Sequence, residues 1–192
     1  MVSVDADRSI QEMGKMYSNV FILCTGRCGS TTFIKACNHA TNYSAGHETR
    51  TGMIGNDRFS YPASHIEADN RLSWLLGRLD KVYGNTAFYV HLVRDAEATA
   101  ESFAKRKGGI MKAYVGTGIL MGCREQSALV IARDHVDTVN SNIEHFLSNK
   151  TNKMKIRLEN AKDDFVRFSQ LIQMQGDLSS ALKEFDINHN AS

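Results

Sequence analysis

Asn19-Val20-Phe21-Ile22-Leu23-Cys24-Thr25 runs without a charge into Gly26-Arg27-Cys28-Gly29, and Ser30-Thr31-Thr32 follows at once. A short continuous apolar run that stops at glycine fits a strand buried on both faces, as in a parallel sheet. A helix is expected next, from about Ser30 to Ala40, with Phe33, Ile34 and Cys37 on its packed face. Two glycines let the turn between them tighten and bring backbone N–H groups close to a ligand. The helix start adds unpaired N–H donors and partial positive charge, which suit phosphate or sulfate. That dipole contributes only about 0.3–1 kcal/mol at an exposed site, so a charged side chain should assist it. Arg27 is placed to do so, Ser30, Thr31 and Thr32 supply hydroxyls, and Cys28 and Gly29 supply backbone. The competing reading is a glycine turn with a Ser/Thr cap. The strand before it, the arginine within it and the hydroxyls after it favour the anion cradle. A Walker loop, G-x-x-x-x-G-K-[ST], is excluded by the shorter spacing and the missing lysine.

Outward from this stretch, residues 42–62 are rich in Asn, Ser, Gly and Thr and read as irregular. Helical spacing returns over 66–83, through Ile66, Leu72, Leu75, Leu76, Leu79 and Val82. Gly84-Asn85 breaks it before Ala87-Phe88-Tyr89-Val90-His91-Leu92-Val93, a second strand. Asp95 is placed to cap a helix running to about Lys105. The pattern loosens between Gly108 and Gly122. A long helix is expected from Gln126 to Leu147, a short strand at Lys155-Ile156-Arg157-Leu158, and a helical end through Phe165, Phe168, Leu171, Ile172, Leu178, Leu182 and Phe185. Strands alternating with helices indicate an α/β architecture whose mostly parallel central sheet is flanked by helices. Ligands then bind beyond the carboxyl ends of the strands, where the loop at 25–32 falls.

With 192 residues, one proline (Pro62) and no linker or repeat, residues 1–192 read as a single domain. A 42% hydrophobic and 23% charged composition argues against disorder, and a net charge of +2 is too small for a nucleic-acid partner. Asp5, Asp7 and Arg8 precede any apolar run, so no signal peptide is expected. No stretch is long enough to span a bilayer, which predicts a soluble protein with no membrane partner. Cys24, Cys28, Cys37 and Cys123 form no C-x-x-C pair or secreted-type framework, which suggests buried thiols in a reducing, cytoplasmic setting.

A second anion site is suggested by Arg94, which ends the strand, and Ser102, about two helical turns further on. A guanidinium fork and a hydroxyl together can hold a phosphate. Taken alone, the better reading is that Arg94 pairs with Asp95 or caps a carbonyl, with Ser102 merely exposed. Arg106-Lys107-Gly108 either adds cations or is a solvated helix end. In Gly46-His47-Glu48-Thr49-Arg50, Glu48 and His47 both qualify as a proton acceptor, with ordinary loop polarity the better reading of His47. A zinc site is not supported, because the second histidine of H-E-x-x-H is missing.

The loop resembles the 5′-phosphosulfate-binding loop of sulfotransferases in its Arg-x-Gly-[Ser/Thr]-Thr form. Arg94-Asp95 with Ser102 resembles that family's 3′-phosphate site, although Ala96 stands where the family usually has proline. Glu48-Thr49-Arg50 is similar to the Glu-Thr-Arg segment of tyrosylprotein sulfotransferases, whose glutamate is the proposed base. The likeness spans roughly residues 18–106, and more faintly Ile156-Arg157-Leu158-Glu159-Asn160. It implies a three-layer P-loop-like fold and sulfuryl transfer from 3′-phosphoadenosine 5′-phosphosulfate, with no metal. The acceptor would be a hydroxyl or amine on a small molecule, carbohydrate or peptide. It also implies Arg27 and Glu48 as catalytic residues, and Arg27, Cys28, Gly29, Ser30, Thr31, Thr32, Arg94 and Ser102 as donor contacts. Arg50 would orient substrate. The family's catalytic lysine has no secure match; Arg71 is a candidate cation or a helix-surface residue. The chain is short for the family and lacks its C-terminal Gly-rich loop. The rival readings are a P-loop kinase and a non-catalytic nucleotide-binding protein of the same fold.

Overall fold

Five strands form one sheet in the order β2-β3-β1-β4-β5, with every neighbouring pair parallel. They are β1 (Asn19–Leu23), β2 (Ser44–His47), β3 (His65–Ala68), β4 (Phe88–Val93) and β5 (Lys153–Arg157). The computed structural model describes residues 15–106, 108–116, 118–121, 125–187 and 189. The polar start with Asp5, Asp7 and Arg8, and also Lys107 and Cys123, lie outside them.

Both apolar runs are strands, and every residue of β1 and β4 is buried. The alternation of β1 splits the core. Val20 and Ile22 face α1 (Ser30–Cys37), α6 (Ala161–Leu171) and α7 (Leu178–Lys183), through Phe33, Phe165, Phe168 and Ala181. Phe21 and Leu23 face α2 (Leu76–Tyr83) and α5 (Ala128–Ser148), through Leu79, Val139 and Ile143. The result is three layers, helix on sheet on helix, as an all-parallel sheet requires. A satellite core joins α3 (Ala96–Ala104), α4 (Ile110–Val115) and the start of α5. Asp95 caps α3 through the Ala98 N–H at 2.8 Å, as its position predicted.

Two expectations fail on the β2–β3 side. The stretch 42–62 is not wholly irregular, since Ser44–His47 is an edge strand and Gly55–Phe59 a 3₁₀ turn. Ser-Ala-Gly-His carries almost no apolar signal because an edge strand buries little. The helix expected over 66–83 begins only at Leu76; His65–Ala68 is a strand and Asn70–Trp74 a 3₁₀ turn. Every residue of β3 is buried, yet two of its four side chains are His65 and Glu67. Such a strand is stable only because partners elsewhere satisfy those groups, which local pattern does not reveal. The first helix stops at Cys37 rather than near Ala40, and the strand expected at 155–158 is Lys153–Arg157.

β1 leads right to α1 while its neighbours β3 and β4 lie on opposite sides of it. The loop after β1 therefore sits where the strand order reverses, the position at which such sheets bind ligands.

Candidate active site

The loop after β1 owes its shape to left-handed backbone. Gly26 (φ 87°), Arg27 (φ 60°) and Gly29 (φ 85°) all have positive φ. A Cβ on Gly29 would also lie 2.6 Å from Leu158 Cδ1, so glycine is required there on two counts. α1 starts directly after Gly29 with no side-chain cap and no acidic residue in its first turn. The end of the helix dipole thus faces the cleft without an internal anion.

Arg27 Nε donates to Ser102 Oγ at 2.9 Å, joining residues 75 positions apart. Arg94 Nη1 reaches the Arg27 carbonyl at 3.4 Å. Among the described residues no carboxylate pairs with Arg27 or Arg94. Asp95 is spent on the α3 cap, so the Arg94–Asp95 pairing does not form. Burial first, and then the charges of Arg106 and Arg94, push the Arg27 guanidinium below its ordinary value. A cluster of like charges of this kind favours an arriving anion.

Two clefts meet here. The first, about 1020 Å³, takes in Gly26, Arg27, Ser30, Thr31, Arg94 and Ser102, and extends to His47, Glu48, Asn70, Arg71, Lys105 and Arg106. The second, about 860 Å³, shares Arg27, Ser30 and Arg94, adds Gly29 and Thr32, and is walled by Leu158, Phe185 and Ile187 together with the charged Glu159, Lys162, Asp163 and Asp186. Cys28 differs from its neighbours: its side chain is wholly buried in the core, leaving only its backbone to a ligand. Its contact with Cys24, reinforced by burial, holds the Cys24 thiol well above its ordinary value. Cys24, Cys28 and Cys37 are all free and buried.

The Glu-Thr-Arg segment follows β2, and its Glu48 reaches the same cleft. Glu48 has φ 56°, so two of the four described non-glycine residues with positive φ are Arg27 and Glu48. That conformation costs an ordinary side chain about 1–2 kcal/mol and clusters at working sites. Glu48 pairs with Arg71 at 2.6 Å. Arg71 is therefore no bystander on a helix surface: it is the second residue of the 3₁₀ turn Asn70–Trp74, which Asp69 caps by accepting the Arg71 N–H at 2.8 Å. His47 Nε2 bonds Ser30 Oγ at 3.1 Å, tying the end of β2 to the start of α1. Arg50 turns away from the cleft lining, donating to the Asp57 carbonyl at 2.9 Å and lying over the Tyr61 ring.

Asn70, Glu101, Phe103 and Lys105 also line the first cleft, although nothing in the sequence singled them out. Asn70 is fixed by contact with the loop, its amide only 2.7 Å from where a Cβ on Gly26 would stand. Below the loop, His135 of α5 is fully buried among the rings of Trp74, Phe103 and Tyr114. Among the described residues neither ring nitrogen meets a partner at hydrogen-bonding geometry. The Thr25 backbone nearby favours the protonated ring, but burial outweighs it and lowers the His135 pKa.

No protein-family model matches the chain, and no curated protein matches it in sequence. Solved structures do. The sulfotransferase domain from the curacin biosynthetic pathway superposes with a TM-score of 0.60 at 17% identity, covering 83% of this chain and 74% of that one. The mouse sulfotransferase SULT7A1 complexed with PAP aligns over 97% of this chain and 69% of its own, at 12% identity and a TM-score of 0.49. The first likeness shows that the chain has the fold of that sulfotransferase domain; the second is too loose to carry an argument.

Proposed function

We propose that the chain, acting as one domain, is a sulfotransferase that moves a sulfuryl group from 3′-phosphoadenosine 5′-phosphosulfate to a hydroxyl or amine acceptor. The observation that carries this reading is the meeting of Arg27 and Arg94, without carboxylate partners among the described residues, at the junction of two clefts beneath an uncapped helix start. A nucleotide bearing anionic groups at both its 3′ and 5′ positions fits that charge pattern.

In this reading Arg27, the loop N–H groups and Ser30, Thr31 and Thr32 hold the 5′-phosphosulfate, and Arg94 with Ser102 grips the 3′-phosphate. Ser102 Oγ also accepts from Arg27 Nε, so the two anion sites are coupled through one hydroxyl. Cys28 and Gly29 contribute backbone only. The apolar wall of Leu158, Phe185 and Ile187 supports seating the purine in the second cleft. The donor supplies an activated sulfur atom. The acceptor oxygen forms a bond to that sulfur while the bond from sulfur to the bridging phosphate oxygen breaks, its electron pair staying on the phosphate. Arg27 and the loop donors stabilise the charge that develops there. Glu48 takes the acceptor proton, leaving a sulfate ester and adenosine 3′,5′-bisphosphate. The reaction as drawn uses no metal. Among the described residues, no helix is long and apolar enough to cross a membrane. The free buried thiols support a reducing, cytoplasmic location.

Calorimetry with adenosine 3′,5′-bisphosphate against adenosine 5′-phosphate tests this. The bisphosphate should bind about 30- to 100-fold more tightly, the range expected for a charge-assisted phosphate contact. Arg94→Ala should abolish the preference. Equal affinities in the unsubstituted protein would sink the 3′-phosphate assignment.

A further inference from the structure

Glu48 is useful as a base only if its carboxylate is held where it is, and its own backbone opposes that. A glutamate at φ 56° gains nothing locally from the left-handed region. Something outside the turn must hold it.

The hold comes from β3: the Glu48 N–H donates to the Ala68 carbonyl at 2.9 Å, and the residue after it is held by Glu67. Glu67 of β3 is fully buried, and its two oxygens are both committed. Oε1 accepts the Thr49 N–H at 2.7 Å, and Oε2 accepts the Thr49 hydroxyl at 2.8 Å. A third donor, His65 Nε2, lies 2.9 Å from Oε2. His65 is steadied in turn by Ser44 Oγ at 2.8 Å from its other nitrogen and by the stacked ring of Tyr61. The residue facing Glu67 across the β2–β3 register is Gly46. A Cβ there would stand 2.4 Å from Thr49 Cγ2 and 2.9 Å from Glu67 Oε2. The empty side of Gly46 is what allows Glu67 to reach across and grip the residue after Glu48.

We infer that Glu67 is a positioning residue: its two-pronged grip on Thr49, through the gap left by Gly46, holds Glu48 in its left-handed turn facing Arg71 and the anion loop. A carboxylate buried away from water is costly unless fully hydrogen-bonded, and here each bond it makes constrains the turn or the residue that braces it. The grip is on backbone as well as side chain, so it fixes the chain direction at Glu48 and not merely a rotamer. Glu67 does not touch the reacting atoms and acts only through Glu48. This inference rests on the reading of Glu48 as the base.

The test measures formation of adenosine 3′,5′-bisphosphate from the sulfuryl donor, with 4-nitrophenol present. That product is common to transfer to any acceptor, water included. Variants are Glu48→Gln, Glu67→Gln, Thr49→Val and Thr49→Ser, each also assayed for bisphosphate affinity by calorimetry. Glu48→Gln should lose turnover by about 100-fold or more. Glu67→Gln and Thr49→Val should lower kcat about tenfold, a displacement effect, with donor KM and bisphosphate affinity unchanged. Thr49→Ser, which keeps both donors, should stay near the unsubstituted rate. Thr49 is exposed, so Thr49→Val carries the test even if Glu67→Gln folds poorly. Loss in Glu48→Gln with kcat within twofold in Thr49→Val and Glu67→Gln would overturn the positioning role alone. So would a parallel fall in kcat and bisphosphate affinity, which marks general loosening. Full turnover in Glu48→Gln would instead overturn the base, and the inference with it.

Discussion

The two ends of the cleft treat charge in opposite ways. Where β1 and β4 end, Arg27 and Arg94 gather beside Arg106, and no carboxylate pairs with Arg27 or Arg94 among the described residues. Where β2 and β3 end, charges are matched: Glu48 with Arg71, Arg58 with Asp69, and Glu67 with its three donors. In the proposed reading the first end takes an anion that arrives from outside, and the second holds one carboxylate in place. An unbalanced cluster costs stability until its ligand binds, whereas a balanced one contributes rigidity at all times.

The sharpest way to break this contrast is to remove a cation from the unbalanced end. Arg27→Ala should cost about 10²–10³-fold in turnover, the usual effect of losing one preorganised donor to developing charge. It should also weaken bisphosphate binding, which Glu48→Gln should not. Steady-state kinetics with calorimetry separates the two ends; equal behaviour of the two variants would erase the distinction.

A smaller effect is expected from the backbone of the loop. Gly29→Ala forces a Cβ onto φ 85° and against Leu158. It should lower stability by about 1–2 kcal/mol in denaturant unfolding and weaken anion binding at the same time. A stable variant with unimpaired binding would mean that the left-handed turn is not what shapes the cradle.

The smallest effect concerns what lies under each end. Carboxylates brace the balanced end, but a buried neutral imidazole, His135, lies beneath the anion loop. Its folded pKa is below the ordinary value, so below about pH 6.5 the unfolded chain takes up a proton that the folded chain resists. Stability is then present above that pH and declines as pH falls, by at most about 1.4 kcal/mol per pH unit for one site. Thermal unfolding between pH 7.5 and 5.5 should record the fall. His135→Phe, which suits the aromatic surroundings, should reduce the slope in part, since burial also lowers the pKa of His91. An unchanged slope would remove His135 from the account.

The same division governs how much of the molecule its sequence discloses. β1 and β4 are legible because a strand buried on both faces must be apolar throughout, and Asn19–Leu23 and Phe88–Val93 nearly are. β2 and β3 are not, because Ser44–His47 sits at an edge and His65–Ala68 buries a histidine and a glutamate that only distant partners make tolerable. Arg58 and Asp69, both buried and paired with one another, were equally silent. The anion loop, Arg94, Ser102 and Glu48 stood out as residue types at telling spacings; Glu67, Thr49 and Asn70 did not, since their roles consist of contacts.

Residues 19–32 by themselves pointed to a buried strand, a glycine-bracketed turn and a helix start, because local sterics and burial dictate those from a dozen residues. That pointed to an α/β protein with a candidate anion cradle. Only the tertiary structure decided that Arg27 meets Ser102, that Asp95 leaves Arg94 without a carboxylate partner, and that Glu48 faces Arg71 from a turn gripped by Glu67. Those facts depend on strand order, which brings residues tens of positions apart to one edge, and on burial, which decides whether a charge is matched or left waiting for a ligand.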